Sequence, residues 1–158
     1  MLKKIKTKGS RVLGGNFAIV ASKYNARYVD SMVRAATAEL KRAGSKVRIV
    51  RVPGAFEIPV VAAKLALDRP NGLAAIICLG VIFQGQTSHA QHIGWGVTHA
   101  LAQIQIKRHI PVIHGVFIFE KEEHARVRCL GRKHNRGREA ALTALQMAVV
   151  MAGLDSRE

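Results

Sequence analysis

The sequence predicts an α/β chain: a three-layer sandwich in which a four-stranded parallel sheet carries helices on both faces, preceded by a basic N-terminal arm over residues 1–15. Three observations carry that prediction. Segments of strand length alternate four times with segments of helical periodicity. The strand segments lack a consistent polar face, as strands covered on both sides do. Glycine and proline stand at the junctions, where turns and caps need them. Residues 1–158 read as one domain, because no linker, repeat or composition break divides them.

Residues 17–22 (FAIVAS) are an apolar run of strand length, ended by the turn-like Lys23, Tyr24 and Asn25. Val29, Met32, Val33, Ala36, Leu40 and Ala43 then recur at helical spacing, and Gly44 stands where a helix cap belongs. Residues 47–52 alternate apolar side chains with Arg48 and Arg51, a second strand that Pro53 and Gly54 break. A shorter helix over residues 58–67 closes at the turn of residues 68–72, and residues 73–79 make a third, wholly apolar strand. A polar loop at residues 84–88 leads into a helix over about residues 89–108, with Ile93, Val97, Ala100, Leu101 and Ile104 on one stripe. Pro111 opens a fourth strand at residues 112–118. A charged stretch, residues 120–138, then runs into a last helix that reaches about residue 151.

With 49% hydrophobic and 22% charged residues and a mean hydropathy of +0.10, the chain of 158 residues is globular rather than disordered. Its longest apolar run, residues 73–83, contains Gly80 and is too short to span a bilayer, so a soluble protein with no membrane association is expected. Residues 1–22 have the basic and apolar parts of a secretory signal, but two glycines and an asparagine interrupt the apolar part, and a first strand is the better reading. Cys78 lies in an apolar run and Cys129 in a basic one, with no CxxC. Reduced thiols in a cytoplasmic protein are expected. The unusual feature is charge: 25 Lys plus Arg against 10 Asp plus Glu, a net +15. Such a field attracts nucleic acid, a membrane surface or a phosphorylated small molecule. Basic residues concentrate in the arm and in residues 121–138, but neither stretch interleaves the aromatic platform that single-strand binding uses. Solvated basic surface is the default, and nucleic-acid binding is disfavoured.

In a parallel sheet, ligands bind beyond the carboxyl ends of the strands, so the four loops that follow the strands share one edge. The third is the richest. Gly85, Gln86 and Thr87 stand at the mouth of the long helix, where unpaired N–H groups and the helix dipole make an anion site; from the loop alone, an ordinary capped helix start is the favoured reading. No Lys follows the last Gly, so this is not a triphosphate-cradling loop. His89 opens the helix, and imidazole can give and take protons near neutral pH. His92 and His99 share its helix, but no acid lies between Asp68 and Glu120 to join them, so no metal site is expected. Glu57, beside Phe56, suits a flat heterocycle with N–H or hydroxyl donors; a Glu favoured by a helix start is the structural alternative.

Taken together the loops resemble a family. VPGAFE at residues 52–57, LGVIFQGQTSH at 79–89, PVIHGV at 111–116, and Arg128 followed by GRKHNRGREAA at 131–141 are similar to the successive signatures of the lumazine synthases, in order and near register from about residue 17 to residue 152. The resemblance implies a flavodoxin-like fold and the penultimate step of riboflavin synthesis. In that step 5-amino-6-ribitylaminouracil and 3,4-dihydroxy-2-butanone 4-phosphate give 6,7-dimethyl-8-ribityllumazine, phosphate and water, without cofactor or metal. It implies homo-oligomers, either pentamers or sixty-subunit icosahedral shells, with each active site between neighbouring subunits. On the matching positions, Tyr24 would stack on the pyrimidine, and Ala55, Phe56 and Glu57 with Val81, Ile82 and Phe83 would hold the uracil and ribityl chain. Gln86 and Thr87 would bind phosphate and His89 would transfer protons. The adjacent subunit would supply His114, Arg128 and Arg136, with Arg128 as the forked anion clamp.

The chain departs from the family pattern in places. Tyr24 stands where Phe or Trp is usual, His114 where Phe is usual, and Arg136 where Lys is usual, while Phe117, Ile118 and Phe119 replace a stretch that usually ends in two Thr. GRKHNRG lacks a Gly found in the corresponding turn of many shell-forming members, so that either Arg132 or Lys133 takes the family Lys position, and a pentamer is the expected assembly.

Overall fold

The computed structural model describes residues 14–68 and 72–156. The predicted basic arm, apart from its last two residues, and the middle of the turn before the third strand lie outside the described residues. The elements are β1 (Asn16–Ser22), α1 (Ala26–Arg42), β2 (Lys46–Val52), a 3-10 turn (Ala55–Glu57), α2 (Ile58–Asp68), β3 (Leu73–Phe83), α3 (His89–Arg108), β4 (Val112–Phe119), α4 (Glu122–Ala125), a π-helical segment (Arg126–Leu130) and α5 (Arg136–Asp155).

Successive side chains of a strand point to opposite faces, and that period assigns the two cores. Phe17, Ile19 and Ala21 of β1 and Ile77, Leu79 and Val81 of β3 pack against Met32, Ala36 and Leu40 of α1 and Ala140, Ala141 and Ala144 of α5. Ala18, Val20, Ile76 and Cys78 face the other way, against Ile58 and Ala62 of α2 and Val97 and Leu101 of α3. The strands are parallel throughout, in the order β2-β1-β3-β4. The structure is therefore the three-layer sandwich the sequence predicts. No helix among the described residues is long and apolar enough to cross a membrane.

Two details set the helix geometry. After α1, Gly44 at φ +74° closes a Schellman turn: its N–H donates to the Lys41 carbonyl (2.9 Å) and that of Ser45 to the Leu40 carbonyl (3.0 Å). At the start of α5, Gly137 lies against the backbone of α1, where an added Cβ would collide with the carbonyl group of Met32.

The structure also differs from expectation. β3 runs on to Phe83 rather than stopping at Leu79, because Val81, Ile82 and Phe83 continue the ladder with Phe117, Ile118 and Phe119. The charged stretch, for which the sequence predicts no element before the last helix, contains two helical segments. Ala125 and Cys129, four residues apart and both fully buried in the α1/α5 core, pin α4 and the π-helical segment to the sheet. α5 continues past residue 151 to Asp155.

Candidate active site

Parallel pairing puts the carboxyl ends of all strands at one edge. There the turns after β1 and β2 are tied together: the Lys23 N–H donates to the Val52 carbonyl (2.8 Å), and the Tyr24 N–H to the Pro53 carbonyl (3.1 Å). Tyr24 lies beside Gly54, where a Cβ would stand 3.1 Å from two ring carbons; Phe56 lies against α3 at Gly96. Both rings face water, Tyr24 at 68% and Phe56 at 63% exposure. Two large exposed aromatics on adjacent loops make an apolar platform that a flat ring can cover.

Glu57, also exposed, uses Oε2 to accept the Gly54 N–H (2.9 Å), the contact of a capped turn; its Oε1 has no partner among the described residues. Ala55 is buried beneath it. Val81 turns its side chain into the α1/α5 core, so what it offers the edge is backbone, and its carbonyl already accepts Nδ2–H of Asn25 at 2.7 Å. Ile82 is half-buried against the α2/α3 core, and Phe83 meets Tyr28 edge to face with centroids 5.6 Å apart.

The mouth of α3 is open. Gln84 fixes the turn by donating Nε2–H to the Thr87 carbonyl (2.8 Å) and its own N–H to the Phe119 carbonyl (2.9 Å). Ser88 occupies the cap position with no side-chain cap bond, and Thr87 Oγ1 accepts only a long bond from the His89 N–H (3.4 Å). The N–H groups of Gly85, Gln86, Thr87 and Ser88 meet no acceptor among the described residues. Free donors at the positive end of a 20-residue helix suit an oxyanion. Gln86, Thr87 and His89 are all exposed there, and the His89 ring has no hydrogen-bond partner among the described residues.

The remaining predicted residues belong to β4, the edge strand, and to the segments after it. His114 faces α3. Its Nδ1 accepts the Val116 N–H (3.4 Å), which leaves the ring proton on Nε2 to be donated to Thr98 Oγ1 at 2.7 Å. Packing around the imidazole disfavours its charged form and lowers its pKa. Arg136 is on the opposite face, its guanidinium 5.8 Å from the Phe117 ring centroid and paired with Glu139 (2.6 Å). Arg128 is exposed on the π-helical segment, with no hydrogen-bond or ion-pair partner among the described residues.

What holds that segment in place was not visible as a motif. The Tyr28 hydroxyl donates to Glu122 Oε1, 94 residues away, which holds the Glu122 carboxyl below its ordinary range and raises the phenol above its own. Asn25 is the other addition: at φ 58° it heads α1 in the left-handed region that asparagine tolerates, and its side chain ties that helix to β3. Burial raises both thiols, Cys129 to about 11, so neither is a nucleophile at neutral pH. Among the described residues no three His, Cys, Asp or Glu side chains group as metal ligands.

The class this defines is an α/β protein that can seat a flat ring beside an anion at the carboxyl edge of its sheet. A family model described as 6,7-dimethyl-8-ribityllumazine synthase matches residues 14–152. Among curated proteins, the chain is 38% identical over 141 residues to the 6,7-dimethyl-8-ribityllumazine synthase of Stenotrophomonas maltophilia (strain R551-3), covering 87% of this chain and 90% of that one. It is likewise 38% identical over 138 residues to the protein of the same name from Xanthomonas oryzae pv. oryzae (strain PXO99A), covering 85% and 88%. The chain belongs to the 6,7-dimethyl-8-ribityllumazine synthase family, a family of transferase enzymes.

Proposed function

We propose that this chain forms 6,7-dimethyl-8-ribityllumazine from 5-amino-6-(D-ribitylamino)uracil and 3,4-dihydroxy-2-butanone 4-phosphate, releasing phosphate and water, as a single-domain subunit of a cytoplasmic homopentamer. The observation that carries the reading is the division of the predicted site between two places on one subunit. Tyr24, Phe56, Glu57 and the mouth of α3 lie at the carboxyl edge of β1 to β3, while His114, Arg128 and Arg136 belong to β4 and the segments after it. Two copies side by side complete what one copy divides. Exposed Val60 and Leu67 on α2 and exposed Trp95 and Ile106 on α3 support such association, since a surface this apolar favours burial against a partner.

In the completed site the uracil ring lies on Tyr24 and Phe56, and Glu57 accepts from its N–H groups. The phosphate sits at the free N–H groups of the 85–88 turn, with Gln86 and Thr87, and Arg128 of the neighbour clamps it with a forked, charge-assisted contact. His89, whose ring has no hydrogen-bond partner among the described residues, moves the protons of imine formation, phosphate loss and ring closure beside that anion. No step needs a strong nucleophile, so holding the two substrates in reacting geometry supplies the larger share of the acceleration, several kcal/mol by analogy with intramolecular reactions.

The decisive experiment mixes purified protein with both substrates and follows lumazine fluorescence. Product formation above the uncatalysed rate is expected; a rate equal to the uncatalysed one defeats the reading. Size-exclusion chromatography with light scattering separates the pentamer from a sixty-subunit shell, and a stable monomer that turns over substrate would defeat the shared site.

A further inference from the structure

A second cleft lies where α1 meets the turn before α5. Its volume is about 430 Å³, within the range of small-molecule sites, and neither His89 nor Arg128 nor Arg136 lines it. Arg34 and Arg42 of α1, Arg132 of the turn and Arg138 of α5 do.

Among the described residues, the only acid in its wall is Glu39. That side chain is 9% exposed, accepts from Arg42 Nη1 at 2.8 Å and forms an ion pair with Arg138 Nε at 2.6 Å. A buried carboxylate therefore fixes two guanidiniums drawn from different helices, and each keeps further N–H donors that find no acceptor among the described residues. Arg34 and Arg132 have no hydrogen-bond or ion-pair partner there at all. Four guanidiniums against one carboxylate leave a net +3 around one concavity. Gathering like charges without acceptors is unfavourable unless an anion joins them, and a concave wall focuses the field that draws one in.

Arginine forks match phosphate oxygens in pairs. One phosphate carries roughly −1.5 to −2 near neutral pH, so two linked phosphates balance this cleft better than one. We propose that the α1/α5 cleft is a second anion-binding site, separate from the condensation site, for a small molecule bearing linked phosphates.

Calorimetric titration of the purified full chain tests this, with inorganic pyrophosphate as the first probe, a nucleoside diphosphate as the second and a short single-stranded oligonucleotide as the third. Wild type is expected to take up two pyrophosphates per chain. Arg34→Gln with Arg42→Gln should weaken one of the two at least tenfold and leave lumazine formation unchanged, whereas Arg128→Ala should weaken the other. Arg34→Gln with Arg132→Gln, which leaves both partners of Glu39 in place, should repeat the loss and so separates it from any effect on folding. Equal uptake of the nucleoside diphosphate assigns recognition to the shared linked phosphates. The proposal is overturned if both double variants titrate like wild type, if Arg128→Ala alone abolishes all pyrophosphate binding, or if only the oligonucleotide binds through these arginines. An inactive wild type would defeat the condensation reading and leave this one standing.

Discussion

Replacing Gly137 by alanine adds one methyl group at the closest approach of α5 to α1. The new Cβ would overlap the Met32 carbonyl oxygen and stand 2.5 Å from the Met32 carbonyl carbon and Cα. Carbon atoms in contact stay about 3.5–4.0 Å apart, so α5 must withdraw by about 1 Å. Backbone is what it strikes, and no rotamer change relieves that. A gap of that size forfeits a quarter to a half of each affected contact, at a seam where Met32, Ala36, Leu40, Ala140, Ala141 and Ala144 are 0–6% exposed. The upper end of the overpacking range, about 3 kcal/mol, is appropriate. Strain on the cap bond from the Gly137 N–H to Asn135 Oδ1 (2.9 Å) costs about 1 kcal/mol more, and the better helix propensity of alanine returns at most about 1. The net is about 3 kcal/mol, or roughly 6–12 °C in Tm for a chain of this size. Thermal unfolding by circular dichroism at fixed protein concentration reads it. Gly153→Ala is the control: it lies on the same helix with open space around its Cβ position, and its Tm should not fall. A Gly137→Ala protein that melts within about 2 °C of wild type would refute the close approach that the argument rests on.

Arg128→Ala should raise KM for the butanone phosphate about ten- to a hundredfold, the value of a charge-assisted contact of 1.5–3 kcal/mol; an unchanged KM would sink its role as the clamp. His89→Ala should lower kcat modestly, toward the low end of the roughly 10²–10⁴ range for acid–base groups, because orientation carries more of the rate; a loss beyond that range would mean that proton transfer dominates. The lowered pKa of His114 means that the unfolded chain protonates first as pH falls. Stability from this residue is flat above about pH 7.5 and declines as pH drops through the unfolded value near 6.5, down to the folded value. Urea midpoints of wild type and His114→Gln at pH 7.5 and 5.5 should therefore differ in pH dependence, the variant losing less on acidification, and parallel shifts would contradict the assignment. Asn135→Ala removes the cap of α5 and strands the Cys129 carbonyl that its Nδ2 serves at 2.7 Å, so a loss of about 2 kcal/mol is expected in urea unfolding; less than about 0.5 kcal/mol would show that the cap does not matter.

Most strands and helices were legible because their signals are local. The alternation that sends Ile19 and Val20 to opposite cores is written in consecutive residues, and α3 begins and ends where its pattern does, at His89 and Arg108. The extension of β3 was not, since Ile82 and Phe83 are held in the ladder by Ile118 and Phe119, more than thirty residues away. The helical segments of the charged stretch were not legible for a related reason: seven basic residues surround Ala125 and Cys129, and only packing reveals that those two small side chains anchor two helical segments. The candidate site residues were proposed through motif resemblance, but the contacts those positions make in the fold were not legible. Tyr28 with Glu122, and His114 with Thr98, are pairs of ordinary residues without a motif.

The sequence by itself determined the layered fold, the shared edge of the loops and the family, because each rests on periodicity or on short contiguous motifs. Tertiary structure alone decided which charges stand together. A net +15 is a property of composition, but whether an arginine is paired, stacked or left facing a cleft depends on contacts between distant segments. That is why Arg136 lies over Phe117, Arg128 has no partner among the described residues, and Arg34 and Arg132 line a cleft whose buried Glu39 pairs with Arg42 and Arg138. Electrostatic energy falls with separation in space, and sequence order does not record that separation.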